Sequence, residues 1–434
     1  MAAAANDKKL FTNSRSASFR ACPRQHYYSY VQRYRLIGET ETRLFGTCIH
    51  AMLEAYWLAR KAGANSETRL YAGLDAMQEF AGQLNPFMLA KASAMFCAYT
   101  SVWDGIDVDV IAVEKTFSFP MLNPDTGAKS RTWVMAGKID LLIRFRGMFR
   151  GQDFTGVVAW NEHKTSSEDT EPGSVYRQKL AMDGQCGQYF EGGDALASLL
   201  GYERINRGIY DFLSKPTIKP LKATPVEKRK YTDARPEQPE EPRRLYKGQH
   251  ERDETEEEFA MRKAEARDPS AAKKLKPYKA TPVEDRKYTE HKPFRPAQPK
   301  QLYANMREFD ETPEEYGDRC AAVIAEDIES YFAQIEVTRT EEDRKEFLFD
   351  VWQLGQLMQE SEVKKRAPKN TDACFKYGSA CDFWSVCATG ARLDDPMRFR
   401  VKELDSEEMV EKKAILPAPV VVPGLTPALR DRMD

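Results

Sequence analysis

The stretch WNEHKT, Trp160–Thr165, decides the reading of this chain when set beside GKIDLL, Gly137–Leu142, about twenty residues earlier. Both lie in apolar surroundings, since MAGKIDLLIRF and GVVAWNEHKT read as short, half-buried strands. A strand that carries Val-Val-Ala-Trp and then turns to Glu-His-Lys delivers charge to the rim of a sheet. Asp140 at the end of one strand, with Glu162 and Lys164 at the end of the next, puts two carboxylates and an amine around one point. Such carboxylates hold a hard cation through oxygen, and the cation lowers the pKa of a bound water and shields a phosphodiester. Lys164 then stands where an attacking water needs orienting. The alternative, from these two motifs alone, is an edge-strand ion pair.

Working outward, FGTCIHAMLEAYWLA repeats Phe45, Ile49, Leu53 and Trp57 at helical spacing and puts His50 near the start of an amphipathic helix after Gly46-Thr47. Downstream, YRQKLAMDGQCGQYFEG reads as another helix, with Gln185 and Tyr189 one turn apart on a shared face. Either helix alone is ordinary: a histidine at a helix start is commonly a plain polar residue, and a Gln–Tyr pair can simply bond to itself.

Taken in order, Gly46-Thr47-X-X-His50, Asp140, Glu162-His163-Lys164 and Gln185-X-X-X-Tyr189 resemble the PD-(D/E)XK nuclease superfamily, in particular its RecB-like branch. The resemblance implies an α/β, restriction-endonuclease-like core with a mixed central sheet flanked by helices. It implies that Mg²⁺ or Mn²⁺ is held by His50, Asp140 and Glu162, helped by the backbone carbonyl of His163. Lys164 becomes the catalytic lysine beside Asp140 and Glu162, and Gln185 and Tyr189 position the strand. Glu114, in VIAVEKTFSF, is either a further acidic member of the site or a plain strand carboxylate.

Cysteines stand at positions 22, 48, 97, 186, 320, 374, 381 and 387. MAAAANDKKL lacks the apolar core of a signal peptide, and no uninterrupted apolar run is long enough to span a bilayer. The expectation is a soluble, cytoplasmic protein with no membrane partner, in which thiols stay reduced and grouped cysteines point to metal. CFKYGSACDFWSVC gathers Cys374, Cys381 and Cys387, and Cys22, in SFRACPRQHYYSYVQRYR, is the candidate fourth ligand. One N-terminal cysteine with a C-terminal trio is similar to the iron-sulfur domain of AddB-type and CRISPR-associated RecB-like nucleases, which implies a 4Fe-4S cluster on Cys22, Cys374, Cys381 and Cys387. The spacing is looser than the Cys-X-X-Cys of a zinc ribbon, which counts against structural zinc; zinc and unrelated buried thiols are the alternatives. Cys48, Cys97, Cys186 and Cys320 read as small core residues.

A net charge of −2 gives no global basicity, so any DNA-binding surface is local. One candidate is CPRQHYYSYVQRYR, where Arg24, Arg33 and Arg35 alternate with Tyr27, Tyr28, Tyr30 and Tyr34. That mixture suits phosphates and stacked bases, and the same tyrosines are also placed to pack around the cysteines.

Composition divides the chain into a first part of the nuclease core at 1–213, a charged Pro-rich insertion at 214–325, C-terminal helices and the cysteine cluster at 326–388, and a flexible tail at 389–434. The insertion is a tandem duplication: KATPVEKRKYT at Lys222–Thr232 recurs as KATPVEDRKYT at Lys279–Thr289, and RLYKGQHERDETEEEF recurs loosely as QLYANMREFDETPEEY, both at an offset of 57. Each copy reads as an extended proline-containing arm, a strand-like Leu-Tyr and an acidic helix. Lys215–Arg235 carries seven basic residues against two acidic, so the insertion is either a DNA- or partner-facing arm or a solvated surface addition.

The resemblance covers Phe11–Tyr210 and Tyr331–Cys387. It implies a divalent-metal-dependent DNA nuclease, an exonuclease of recombination, repair or phage DNA processing, whose partner is DNA with a free end or single-stranded DNA. No Gly-X-X-X-X-Gly-Lys-Ser/Thr loop is present, so unwinding would come from a helicase or recombinase partner. The rival readings are a subunit active only with that partner and a non-catalytic iron-sulfur DNA-binding protein.

Overall fold

The computed structural model describes residues 8–409, apart from 39, 169, 170, 172, 267–271, 376–378 and 405. The apolar runs on either side of Asp140 and before Glu162 become neighbouring strands of a six-stranded mixed sheet. Its strands are β1 (Lys9–Phe11), β3 (Val108–Leu122), β4 (Lys129–Phe145), β7 (Val158–Ser166), β8 (Arg207–Ser214) and β9 (Phe332–Val337). β4 pairs antiparallel with β3 along one side, and on the other with β1 (parallel) and β7 (antiparallel). β7 and β8 run parallel, and β9 closes the sheet antiparallel to β8. This is the expected α/β architecture.

Alternation along the strands sends side chains to two apolar layers. Leu141, Ile143, Ala159 and Ile209 pack under α3 (Glu41–Lys61) and α5 (Pro86–Asp104). Leu142, Trp160, Tyr210 and Phe212 pack under α7 (Gly184–Leu199). A Cβ at Gly208 would fall 2.0 Å from the Trp160 ring, so glycine lets that indole lie across the neighbouring strand. Fully burying a side chain of this kind stabilises the fold by roughly 1.5–3 kcal/mol.

Two expected helix boundaries differ. The His50 helix starts at Glu41 and is capped by Thr40, whose side chain accepts from the Arg43 N–H, so Gly46-Thr47 lies inside it and His50 well along it. Gly46 faces Thr165 of β7, where a Cβ would make ordinary contact at 3.6 Å, so the approach of this helix to the sheet does not require glycine there. The helix read through YRQKLAMDGQCGQYFEG is instead two, α6 (Val175–Ala181) and α7, because Asp183 caps the second by accepting from the Gln185 N–H.

The chain separates into two compact units, residues 221–310 and the remainder. Residues 313–326, which read with the insertion by composition, form α9 (Pro313–Glu326) and pack against α5. Part of the expected tail is also ordered: β10 (Phe399–Val401) pairs antiparallel with β2 (Tyr34–Leu36), while 410–434 lie outside the described residues.

Within residues 221–310 the two repeats pair with each other. Arg235 and Gln298, Gln238 and Arg295, and Glu241 and Lys292 exchange main-chain N–H···O bonds of 2.9–3.1 Å. Each of these residues precedes a proline, at 236, 239, 242, 293, 296 and 299. Proline has no N–H to give, and a proline-type extended chain turns once every three residues, so every third residue faces the mate and forms a rung. The ends repeat the exchange: Asp310 accepts from the Ala223 N–H (2.8 Å), and Asp253 accepts from the Ala280 N–H (2.7 Å).

In the larger unit, His26 is fully buried beside Arg15, stacked on Tyr30 and edge-on to Phe19. Burial, with the positive charge of Arg15, lowers its pKa to about 3. The folded state therefore takes up a proton less readily than the unfolded chain, so the stabilisation is complete above pH ~6.5 and is lost as pH falls towards 3. Denaturant titrations from pH 7 to 5 are expected to show unfolding free energy falling by up to about 1.4 kcal/mol per pH unit below ~6.5, with a shallower slope for His26→Gln. Equal slopes would mean that His26 is charged in the fold.

Candidate metal centre and cysteine cluster

The pairing of β4 with β7 reaches Leu141–Asn161 and goes no further, so the two strands part where Asp140 and Glu162 sit. Asp140 Oδ2 accepts the His163 backbone N–H at 3.0 Å. His50, from α3, brings Nδ1 to 3.5 Å from the same oxygen. Glu114 stands opposite Asp140 on β3, between the pairs Val113–Leu141 and Lys115–Ile139. It belongs to the cluster, with Oε1 3.8 Å from His50 Nδ1 and an ion pair to Lys138. Its φ of 46° is left-handed backbone inside a strand, a strained conformation found where surrounding structure fixes a functional geometry.

Glu162 and Lys164 project to the other face of the sheet. Lys164 Nζ lies 2.5 Å from Glu162 Oε1 and 2.8 Å from Gln185 Oε1. Gln185 Nε2 donates to the same Glu162 oxygen (2.9 Å) and to Tyr189 Oη (2.8 Å). The four residues are thus brought together in one hydrogen-bonded group. Glu162 Oε2, in contrast, is buried without a hydrogen-bond partner among the described residues.

Burial and the charge of Glu162 push the Asp140 carboxyl well above the usual range. Burial opposes charge on His50, but Asp140 and Glu114 outweigh it and raise the imidazole to about 9. Lys164 is raised in the same way, burial being outweighed by Glu162. His163, turned to the apolar side, is lowered to about 3 by burial and the neighbouring His50 charge. A concentration of buried carboxylate that draws protons is what a divalent cation relieves. The His50, Asp140 and His163 ligand atoms lie within 4.8 Å of one another and form a donor set that fits such an ion, with the charge of Glu162 close enough to act on Asp140.

Two clefts reach this centre. One, of about 1020 Å³, is lined by His50, Asp140 and Lys138 and by Tyr30, Tyr34 and Arg35 of the N-terminal aromatic and basic stretch. The other, of about 770 Å³, exposes Lys164 beside Arg20 and Lys179. The rest of that stretch turns elsewhere: Arg24 donates to the Ala367 carbonyl at 2.6 Å, and the Tyr28 ring packs on Phe383 at 5.3 Å, next to the cysteines.

Cys22, Cys374, Cys381 and Cys387 line one small cavity. Cys22 Sγ accepts the Asn370 N–H at 3.4 Å, and the Cys381 N–H bonds the Cys374 carbonyl at 2.8 Å. Four convergent thiols, with one hydrogen bond already reaching the Cys22 sulfur, are a donor set that fits an iron-sulfur cluster. Cys48, Cys186 and Cys320 are buried core residues, and Cys97 is half-buried.

Lys138, Tyr99 and Asp211 were missed in the sequence. Lys138 lies inside the quoted GKIDLL, and Asp211 is a carboxylate in the middle of the apolar run RGIYDFLS, an available signal. No described helix is long and apolar enough to cross a membrane. The family model of the PD-(D/E)XK nuclease superfamily matches residues 11–388. No curated protein matches the chain.

Proposed function

The chain belongs to the PD-(D/E)XK nuclease superfamily, and from that membership we propose a divalent-metal-dependent DNA exonuclease of the RecB-like kind. Its site lies at the β4–β7 fork, and its part is in recombination, repair or phage DNA processing. The observation that carries this reading is the Glu162 carboxylate, whose Oε1 is fixed by Lys164 and Gln185 while its buried Oε2 is left over. His50, Asp140 and Glu162, with the main chain of His163 beside them, would hold Mg²⁺ or Mn²⁺. When bound, the cation supplies a lowered water pKa and neutralisation of phosphodiester charge.

The chain's own residues do the rest. An ammonium has three N–H donors; Lys164 directs two at Glu162 and Gln185, and the third serves the phosphate oxygens as charge develops. Gln185, anchored on Tyr189, holds the amine in place. Tyr34, Arg35 and Lys138 line the larger cleft, a surface for single-stranded DNA, while the Tyr30 ring at its wall is covered by His26 and Lys402.

The four cysteines hold a 4Fe-4S cluster on this reading, supported by their shared cavity. The cluster ties the first helices to a segment some 350 residues away, closing a loop whose entropy the chain would otherwise oppose. A helicase or recombinase partner would deliver the strand.

The test is cleavage of linear against circular single-stranded DNA with Mg²⁺ or Mn²⁺. Loss of the linear substrate alone is the expected result. Cutting of both overturns end dependence, and cutting of neither favours the partner-dependent subunit.

A further inference from the structure

Successive residues of β7 point to opposite faces of the sheet. Glu162 and Lys164 face α7, so the imidazole of His163 enters the α3–α5 side, packed 5.6 Å from the Tyr99 ring and 6.1 Å from the His50 ring. The resemblance gave this residue only a main-chain role, yet its side chain is fixed from both ends.

On the inner edge, Nε2 lies 3.0 Å from Tyr99 Oη and 3.8 Å from Asp211 Oδ2. Tyr99 Oη is itself held by the Trp57 indole N–H at 2.7 Å, and Asp211 Oδ2 accepts from Trp103 Nε1 (2.9 Å) and Asn161 Nδ2 (3.0 Å). The Tyr99 hydroxyl is itself bonded to Asp211, so its oxygen accepts at Nε2 and the ring proton sits there, the arrangement that orients a metal-ligating histidine through its second nitrogen. The lone pair is then on Nδ1, on the outer edge. Nδ1 is 3.7 Å from Asp140 Oδ2, and His50 Nδ1 is 3.5 Å from that same oxygen. Donors sharing one ion at about 2.1 Å stand roughly 3.0–3.5 Å apart, so both imidazoles are within a few tenths of an ångström of ligand spacing around Asp140.

We propose that the His163 imidazole is a ligand of the divalent cation through Nδ1, so that the centre carries two nitrogens and selects Mn²⁺ over Mg²⁺. Imidazole suits transition metals, whereas Mg²⁺ takes oxygen and keeps its waters. The proposal rests on the reading of the fork as a metal centre. Tyr99 and Asp211 act through His163 as positioning residues.

The experiment uses the full-length protein without DNA. Calorimetric titration is expected to give Mn²⁺ binding at least tenfold tighter than Mg²⁺. Pulsed electron paramagnetic resonance of the Mn²⁺ form is expected to show imidazole nitrogen coupling that persists, reduced, in His50→Asn and disappears in His50→Asn/His163→Asn. If His163→Asn does not fold, the His50→Asn spectrum alone decides. Loss of all nitrogen coupling in His50→Asn, or equal affinity for the two ions, overturns the proposal and leaves the nuclease reading standing. Absence of any Mn²⁺ binding to the wild type overturns both.

Discussion

Lys164→Ala is expected to lower cleavage of linear DNA by at least about a hundredfold, the scale of removing one positioned donor from developing transition-state charge. Folding and DNA binding are expected to stay close to wild type. The side chain is about a quarter exposed on the rim of a cleft, and its removal leaves Glu162 Oε1 still bonded to Gln185. Initial rates with Mn²⁺, beside fluorescence anisotropy with a labelled strand, check both halves. Undiminished cleavage would remove Lys164 from the chemistry, and a matching loss of binding would make it a binding residue.

Cys381→Ser is the second large effect. Anaerobically purified wild type is expected to be brown, and the variant to lose the visible absorption and much of its soluble yield before any defect in the chemical step. The reason is the shared lining: Cys22 and the three later thiols face one small cavity, so the loss of one ligand leaves that cavity without its filling while the neighbouring Arg24–Ala367 bond and the β2–β10 pairing remain. An unchanged spectrum would take Cys381 out of the cluster. A colourless wild type would remove the cluster.

Asp140, Glu162 and Lys164 were legible because a charge at the end of an apolar strand has few structural reasons to be there. Their order along the chain, with His50 before and Gln185 and Tyr189 after, carried the family. His163 was legible only as a member of the motif. Which side of the sheet its ring enters depends on α5 supplying Tyr99 and on β8 supplying Asp211, both far away in sequence. Glu114 was left between two readings, since nothing in VIAVEKTFSF announces a left-handed residue inside a strand. The start of the His50 helix was misplaced because Gly46-Thr47 looks like a boundary, whereas Thr40 supplies the cap. In the insertion the 57-residue offset was plain, but its consequence was hidden. A proline at every third position is neither a helical nor an alternating pattern, and only the main-chain bonds reveal what it pairs with.

That cross-pairing makes the duplication a covalent substitute for dimerisation. Among the described residues the rungs at Arg235, Gln238 and Glu241 have their mates in the other copy, so a chain with a single copy would hold half a ladder and would need a second molecule to complete it. Joining the copies fixes the local concentration of each half around the other at a value independent of how much protein is present. The arm therefore assembles in a single molecule, at any dilution, and its stoichiometry is written into the length of the gene product.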